Sequence, residues 1–506
     1  MGKTSLLAAI DLGSTTCKAA IFDLHGNTVA ESRHEIMTRF SDSVSAEIDP
    51  EEWWRNVVVA LREVTDAVGA RRRFIAAMGV TGLTHAPVLM DGEGNVVTPA
   101  LLWMDRRSIP QCEELNAKYG HVIMREFGRP LINSLTAPKL KWFSENAAHV
   151  IEQASYLLMP KDYIRYRLTG TILTDYSDAD GTGLLNKKNR QWSDELTRLV
   201  GMSPAQLPPL RESHEIAGLV TENAARVTGL PPGLPVVVGG SDVSCSLIGI
   251  GALHPDLAET LAIYVGTAAW AAKVTGSKAA IEGSQSLSSC LEWIGATSSA
   301  GSSLTWLRDV ASSAPISSDS SVEQVVSHDA ILSEAGKAPI GSNGLFFHSH
   351  LMGERGPKEN PRASGVWFGL TRHHRFQDLA RSVLEGVAYS IKAILPSEKL
   401  QTVDGIIVFG GGSRDALWRG IIRDVIGKTL IIPRCPEGGL MGAALIAGVG
   451  AGFFANYQQA TERFIPLYTE EAVNRDAASL YEQLYRVYLR LETTFEDSYD
   501  QVFSVT

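Results

Sequence analysis

The sequence predicts an α/β protein built from two domains. Three observations point there. The chain has 506 residues, and at roughly 150 residues per domain that is a prior of two to four domains. An apolar run, a Gly-Ser-Thr turn and a second apolar run open the chain, and a strand–Gly–Thr–strand unit over residues 261–274 echoes them. Further on, Gly405 to Phe409 reads as a strand that meets three glycines and then a helix, Ala416 to Ile426.

The elements follow in order. Leu6 to Ile10, Ala19 to Phe22 and Thr28 to Ala30 read as an antiparallel meander, with the turn cluster Asp23-Leu24-His25-Gly26-Asn27 between the second and third. Asp49-Pro50-Glu51-Glu52 is a helix start: a capping Asp, Pro at the first helical position and an acidic first turn. That helix is expected to reach about Val68. Ile75 to Val80 reads as a strand ending at Thr81-Gly82. A Pro-rich stretch, 201–235, leads into Val236-Val237-Val238-Gly239-Gly240-Ser241-Asp242, a buried-type strand entering a glycine turn. The Ser-rich segment 311–322 is expected to be an exposed loop, and 475–500 an amphipathic charged helix.

Composition narrows the function. Hydrophobic residues are 44% and charged residues 20% of the chain, values of a globular protein with its own cores. The net charge of -10 argues against a nucleic-acid backbone binder. Five cysteines, with no C-x-x-C pair, suit neither a disulfide framework nor a zinc site and fit a reducing cytoplasm. Asp11 interrupts the first apolar run, so no signal-peptide core is expected there. No apolar run approaches the roughly eighteen residues of a membrane span.

Several clusters could carry chemistry. Gly2-Lys3-Thr4 only imitates the tail of a P-loop, since the upstream glycine and strand are missing. Asp11-Leu12-Gly13-Ser14-Thr15-Thr16-Cys17-Lys18 is stronger. The amides and hydroxyls of Gly13, Ser14, Thr15 and Thr16 could cradle phosphate oxygens, and Lys18 could add positive charge. Asp11 at the strand end could hold Mg²⁺. An ordinary hairpin with a solvated lysine is the plain alternative. Gly266-Thr267 offers a second such hairpin. Gly410-Gly411-Gly412, followed by Ser413, would let a ring or phosphate approach the backbone, or simply make a tight strand–helix turn.

In this order the three elements suggest a two-domain nucleotide clamp of the actin-like ATPase (ribonuclease H-like) class. The chain resembles the FGGY carbohydrate kinases. Ser134-Leu135-Thr136-Ala137-Pro138-Lys139-Leu140-Lys141-Trp142-Phe143-Ser144-Glu145-Asn146 fits the first family signature. Gly365 to Leu370 with Asp378 to Gly386 fits the second. Gly353-Glu354-Arg355-Gly356-Pro357, Trp418 and Asp424 also look like family positions. Within the family the pattern is most similar to xylulokinases, through Pro160 to Ile164, Leu168-Thr169-Gly170, Thr174 to Ala179 and Trp103-Met104-Asp105-Arg106-Arg107.

The resemblance implies an active site between an N-terminal, sugar-binding domain (1–253) and a C-terminal, adenosine-binding domain (254–506). It implies ATP and Mg²⁺, a small sugar substrate, a cytoplasmic homodimer, and no nucleic-acid or membrane partner. Asp242 would be the general base and share the metal site with Asp11; a helix-capping Asp is its plain alternative. Thr84, His85, Trp103 and Asp105 would meet the sugar, against a core histidine and tryptophan, and Arg107 could brace their loop. Two positions depart from the xylulokinase pattern. Leu83 stands in Thr81-Gly82-Leu83-Thr84-His85-Ala86 where an S-G-Q-M-H-G loop is usual, and Val243 follows Asp242 where an amide is usual. D-xylulose therefore leads as substrate, with another ketose, a polyol or gluconate behind it, and a catalytically inactive sugar-binding regulator as the different class.

Overall fold

The computed structural model describes all residues except 1–4, 43, 255–256, 258–259, 275–290, 314–325, 357–358, 434–436, 465–467 and 506. The Gly2-Lys3-Thr4 motif, Cys290, Cys435 and most of the Ser-rich segment lie outside the described residues. Residues 311–313 of that segment close a helix, Gly301–Ser313, instead of starting a loop.

Packing divides the chain into two compact units that are interleaved in sequence. The first combines the N-terminal half with residues 437–464; the second combines residues 261–274 and 292–433 with the C-terminal helix.

The core of the first unit is one sheet. Its strands lie in the order Ile216–Leu219, Pro235–Val237, Ile75–Gly82, Leu6–Leu12, Thr16–Asp23, Thr28–Glu35, with Gly240–Ser241 also paired to Ile75–Gly82. The last three form the antiparallel meander, in register Leu12↔Cys17 and Ile21↔Ala30. Leu6–Leu12 and Ile75–Gly82 run parallel, as does Gly240–Ser241 beside Thr81 and Gly82. Central strands buried on both faces need continuous apolar runs, and Leu6–Leu12 supplies one broken only at Asp11. Helix Pro50–Val68 covers the meander. Asp49 caps it by accepting the Glu51 amide at 2.9 Å, and Trp53, Val57, Leu61 and Val64 form its buried stripe. Emptying the Trp53 site by Trp53→Ala would cost about 3–5 kcal/mol.

Helix Gly438–Gly450 lies late in the chain yet packs on this first sheet and on helix Asp242–Gly249. Its small residues make that possible: a Cβ on Gly442 would fall 1.8 Å from the Cys245 carbonyl oxygen.

The second unit repeats the plan. Its sheet runs Leu291–Thr297, Ala269–Val274, Leu261–Val265, Gly405–Phe409, Thr429–Pro433, Tyr468–Glu471. The hairpin is antiparallel, the next two pairings are parallel and the edge pairing is antiparallel. The first sheet has the same succession, so the echo seen in sequence is a duplicated fold. Helix Phe376–Ala393, from the second signature, is buried along its core face, where Arg381, Glu385 and Tyr481 form one hydrogen-bonded set. Tyr481 belongs to the long C-terminal helix Arg475–Val505, which is thereby fastened to the unit. Among the described residues no helix is long and apolar enough to cross a membrane.

Candidate active site

Three adjacent parallel strands of the first sheet end at one edge. Leu12 is paired with Gly82, and Ser241 with Gly82 on its other side. Asp11, the loop Leu83-Thr84-His85 and Asp242 therefore leave neighbouring strands at their carboxyl ends, where open α/β sheets bind ligands.

At Asp11 the hairpin turn is closed by the Gly13 amide donating to the Thr16 carbonyl at 2.8 Å. Lys18, opposite Asp11, donates to Glu437 and lies 3.7 Å from Asp11 Oδ2. Glu437 immediately precedes helix Gly438–Gly450, and a Cβ on Gly439 would sit 2.8 Å from Asp11 Oδ2. The Asp11 carboxylate thus rests against the first turn of a helix. Burial pushes its pKa up, Lys18 pulls it down and Glu437 pushes it up again. A cation beside Asp11 would relieve both the burial and the neighbouring carboxylate, so the residues present fit a Mg²⁺ ion.

Asp242 is the first residue of its helix, and the cap is Ser241, whose Oγ accepts the Ser244 amide at 3.3 Å. The capping alternative for Asp242 is therefore taken by its neighbour. Asp242 is half-buried, and its Oδ1 accepts the Val243 amide at 2.8 Å. Behind it the Ser241 amide donates to Ser177 Oγ at 2.9 Å, and Ser177 Oγ donates to Asp175 at 2.5 Å. Asp175 also receives Lys161 at 3.1 Å, so a buried ionic group underlies the strand end. Lys161 Nζ reaches Asp162 at 2.6 Å and Asp178 at 3.1 Å, and Arg165 joins Asp162 at 2.6 Å. Lys161 and Arg165 hold the Asp162 carboxyl below the usual range against its burial. For Asp178, burial and the charges of Asp175 and Asp162 win over Lys161 and push the pKa well up.

His85 is half-buried and adopts φ +69°, a left-handed backbone uncommon for a non-glycine residue. Its Nδ1 lies 2.7 Å from the Gly181 carbonyl. A carbonyl accepts only, so Nδ1 carries the hydrogen of this contact. Lys139, the signature lysine, is fully buried and donates to the carbonyls of His85, Ser134 and Leu135 at 3.3, 2.5 and 3.1 Å. Asn133 next to it donates to the Asp105 carbonyl at 2.9 Å. The signature and the residue just ahead of it thus join the His85 loop to the Trp103–Arg107 loop.

Trp103 and Thr84 are half-buried, outside the apolar core. Asp105, expected to accept sugar hydroxyls, is instead 0% exposed. Its Oδ2 accepts the Ala46 amide at 2.8 Å and Arg107 Nη2 at 2.7 Å, and its Oδ1 accepts the Arg107 amide at 3.0 Å. Arg107 continues to Glu47 at 2.9 Å. Both oxygens are taken by protein donors, so Asp105 and Arg107 brace the loop together. Leu83 is also buried, at 3% exposure.

The second unit carries the other expected elements. In its hairpin the Gly266 amide donates to the Ala268 carbonyl at 2.9 Å, and the Thr267 carbonyl accepts the Ala300 and Ser302 amides at 2.9 and 3.1 Å. The glycine turn follows the adjacent strand Gly405–Phe409. Its three glycines differ. A Cβ on Gly410 would meet Val265 O at 2.6 Å, and one on Gly412 would meet Val265 Cγ1 at 2.5 Å, so protein atoms require both. Among the described residues, a Cβ on Gly411 would meet nothing within 4 Å. Ser413 is buried and donates to the Gly410 carbonyl at 2.8 Å, closing the turn. Trp418 and Asp424 are structural: Trp418 is 2% exposed, and Asp424 accepts the Asn474 amide at 3.0 Å ahead of the last helix.

Comparison with known proteins decides the family. Residues 6–249 match the N-terminal domain of the FGGY family of carbohydrate kinases, and residues 283–451 match its C-terminal domain. The chain belongs to that family. It is 31% identical to a xylulose kinase of Escherichia coli strain K12, covering 97% of this chain and 98% of that protein. It is 27% identical to a gluconokinase of Bacillus subtilis strain 168, covering 99% and 98%. The solved structure of a xylulose kinase from Lactobacillus acidophilus matches with TM-score 0.82 at 23% identity over 98% of this chain and 100% of that one. The two-domain actin-like architecture is that of the FGGY kinases.

This FGGY kinase is a phosphotransferase with an alcohol group as acceptor. ATP is the phosphate donor that membership implies, and the acceptor is a small sugar. Sequence reasoning missed Glu437, Gly439, Gly181, Ser177 and the inward role of Lys139. Lys139 carried a signal in its place in the signature, Ser177 in the Thr174 to Ala179 segment, and Gly439 in the Gly438-Gly439 pair opening an apolar helical run, which went unread.

Proposed function

We propose that the chain is a cytoplasmic xylulokinase-like enzyme that phosphorylates a pentulose, D-xylulose to D-xylulose 5-phosphate leading. The single observation that carries the site is the convergence of Asp11, His85 and Asp242 on neighbouring strand ends. In this reading Asp242 orients the acceptor hydroxyl and takes its proton, because an un-ionised hydroxyl is a weak nucleophile. His85 accepts a second sugar hydroxyl at Nε2, and Trp103 and Thr84 line the same site. The amides and hydroxyls of Gly13, Ser14, Thr15 and Thr16, with Gly266 and Thr267, hold phosphate oxygens, and the turn around Gly411 holds the adenosine. Asp11 and Asp242 would hold Mg²⁺, which supplies neutralisation of phosphate charge.

Leu83 and Val243 favour a second reading of the acceptor. Leu83 packs into the core, and Val243 offers no side-chain donor, so two amide contacts usual in xylulokinases are gone. Leaving a sugar hydroxyl buried and unpaired costs about 1–3 kcal/mol. Either D-xylulose binds with a raised KM, or the preferred acceptor is another ketose, a polyol or gluconate. A coupled ADP-release screen over pentuloses, hexuloses, polyols and aldonates tests this. Efficient, strongly preferred turnover of D-xylulose would remove the second reading. No ADP release with any of them would leave the inactive regulator.

A further inference from the structure

The second unit holds a cluster of metal-ligating side chains that sugar phosphorylation does not use. His348 ends the strand Phe346–His348, and His350 follows two residues on. Glu492 reaches them from the C-terminal helix. His348 is 0% and His350 3% exposed, while the Glu492 side chain is 28% exposed. One donor atom from each of the three lies within 4.8 Å of the others. His348 Nδ1 is 2.7 Å from Glu492 Oε2, and His350 Nε2 is 2.9 Å from Glu492 Oε1.

The surroundings are those of a built site. Glu354 Oε2 lies 2.7 Å from His350 Nδ1, the nitrogen that faces away from Glu492. Glu354 is itself held by Thr297 Oγ1 at 3.1 Å and by the Arg355 and Gly356 amides at 2.6 and 3.1 Å. A carboxylate behind a histidine is the usual outer partner of a metal-bound imidazole, fixing its tautomer and orientation. The His348 ring is stacked on Tyr488 at 4.1 Å and 9°, with Phe495 edge-on at 5.1 Å, so its direction is set by packing. Charge argues the same way. Two carboxylates, Glu354 and Glu492, meet two imidazoles here, and one proton on an imidazole leaves a negative charge behind. A divalent cation neutralises both.

The geometry points to a zinc-class divalent cation site formed by His348, His350 and Glu492, with Glu354 as the orienting partner. Two imidazoles and a carboxylate leave the fourth tetrahedral position to water. Bonds of about 2.0–2.1 Å place tetrahedral ligands about 3.3–3.4 Å apart. The carboxylate must therefore back away by roughly half an ångström, and the two imidazole nitrogens, which lie within 4.8 Å of each other, must take up the same spacing. The ion would staple the C-terminal helix to the segment bearing Glu354.

The test uses the full chain, stripped with a chelator and dialysed, without nucleotide or sugar. Zinc is titrated by calorimetry and cobalt by visible absorption. One equivalent per chain, a Kd of about 1 µM or tighter, and the intense absorption of four-coordinate cobalt are expected. Glu492→Gln and His350→Asn should each weaken zinc at least about 100-fold. Glu354→Gln, one step removed, should weaken it about 10–100-fold and keeps the test valid if either ligand variant fails to fold. No stoichiometric uptake by the stripped wild type would overturn the site and leave a proton-bridged cluster. So would variants that bind zinc as the wild type does.

Discussion

The ring of His85 rests on the backbone of Gly181. Nδ1 meets the Gly181 carbonyl at 2.7 Å, and a methyl group on Gly181 would come within 3.0 Å of His85 Cε1. Gly181→Ala should therefore displace the imidazole without emptying any core. A shift of about 1 Å at a reacting group can cost up to about 10²-fold in rate. We expect kcat/KM for the best sugar to fall about 10- to 100-fold, with the KM for ATP and the melting temperature near wild type. Unchanged sugar kinetics would show that His85 does not meet the substrate.

Asp242→Asn retains size and the contact to the Val243 amide while removing proton acceptance. Turnover should fall by at least about 10²-fold, the lower end for a general base. Nucleotide affinity, measured by calorimetry, should be nearly intact. Near-normal turnover on the preferred acceptor would sink the assignment.

The glycine turn gives a paired test. Gly411→Val places its side chain where the protein leaves room, so the fold should survive and ATP affinity should fall about 10-fold or more, with sugar affinity spared. Gly412→Val drives a side chain into Val265 and Trp418, so lost stability should come first. Equal ATP binding by wild type and Gly411→Val would remove the adenosine role of the turn.

The ionic group under the strand end separates two aspartates. Asp162→Asn removes the carboxylate that Lys161 and Arg165 share, and losing one charged partner of a buried set costs about 3–5 kcal/mol. Its folded pKa is depressed, so its stabilisation is present above the unfolded value, about 3.9, and vanishes as pH falls through the folded value. Asp178 has the opposite sign. Its folded pKa is raised, so its stabilisation is full below about 3.9 and is lost as pH rises through the folded value. Asp178→Asn should cost little at neutral pH and should flatten that decline. Denaturant melts across pH decide it; similar losses for the two variants at neutral pH would refute the contrast.

What was legible in the sequence was local. The meander, the Asp49-capped helix, the strand Gly405–Phe409 and the helix Ala416–Ile426 announce themselves through apolar runs, caps and glycine turns that are close in sequence. Asp11 and Asp242 were legible as carboxylates at strand ends, and their roles and that of His85 came through the family resemblance. The supports were not. Lys139 beneath His85, Ser177 behind Ser241 and Glu437 beside Lys18 are bonds between distant residues, and each looks alone like an ordinary polar side chain. Asp105 shows both kinds of contact: Arg107, legible two residues away as a brace, takes part of its carboxylate, whereas the Ala46 amide, fifty-nine residues off, left no sign in the sequence.

The late helix Gly438–Gly450 has a consequence for biosynthesis. The first sheet is covered by a helix that a ribosome makes about two hundred residues after the sheet's last strand. At about 5–20 residues per second that is a wait of roughly 10–40 s. During it the face of Leu6–Leu12 and Ile75–Gly82 that receives the helix has no native cover. An uncovered apolar sheet face is a chaperone and aggregation target, so a chain stopped before Gly438 should be retained by chaperones or precipitate. Completion of the first unit thus waits on a helix encoded far downstream of its own sheet.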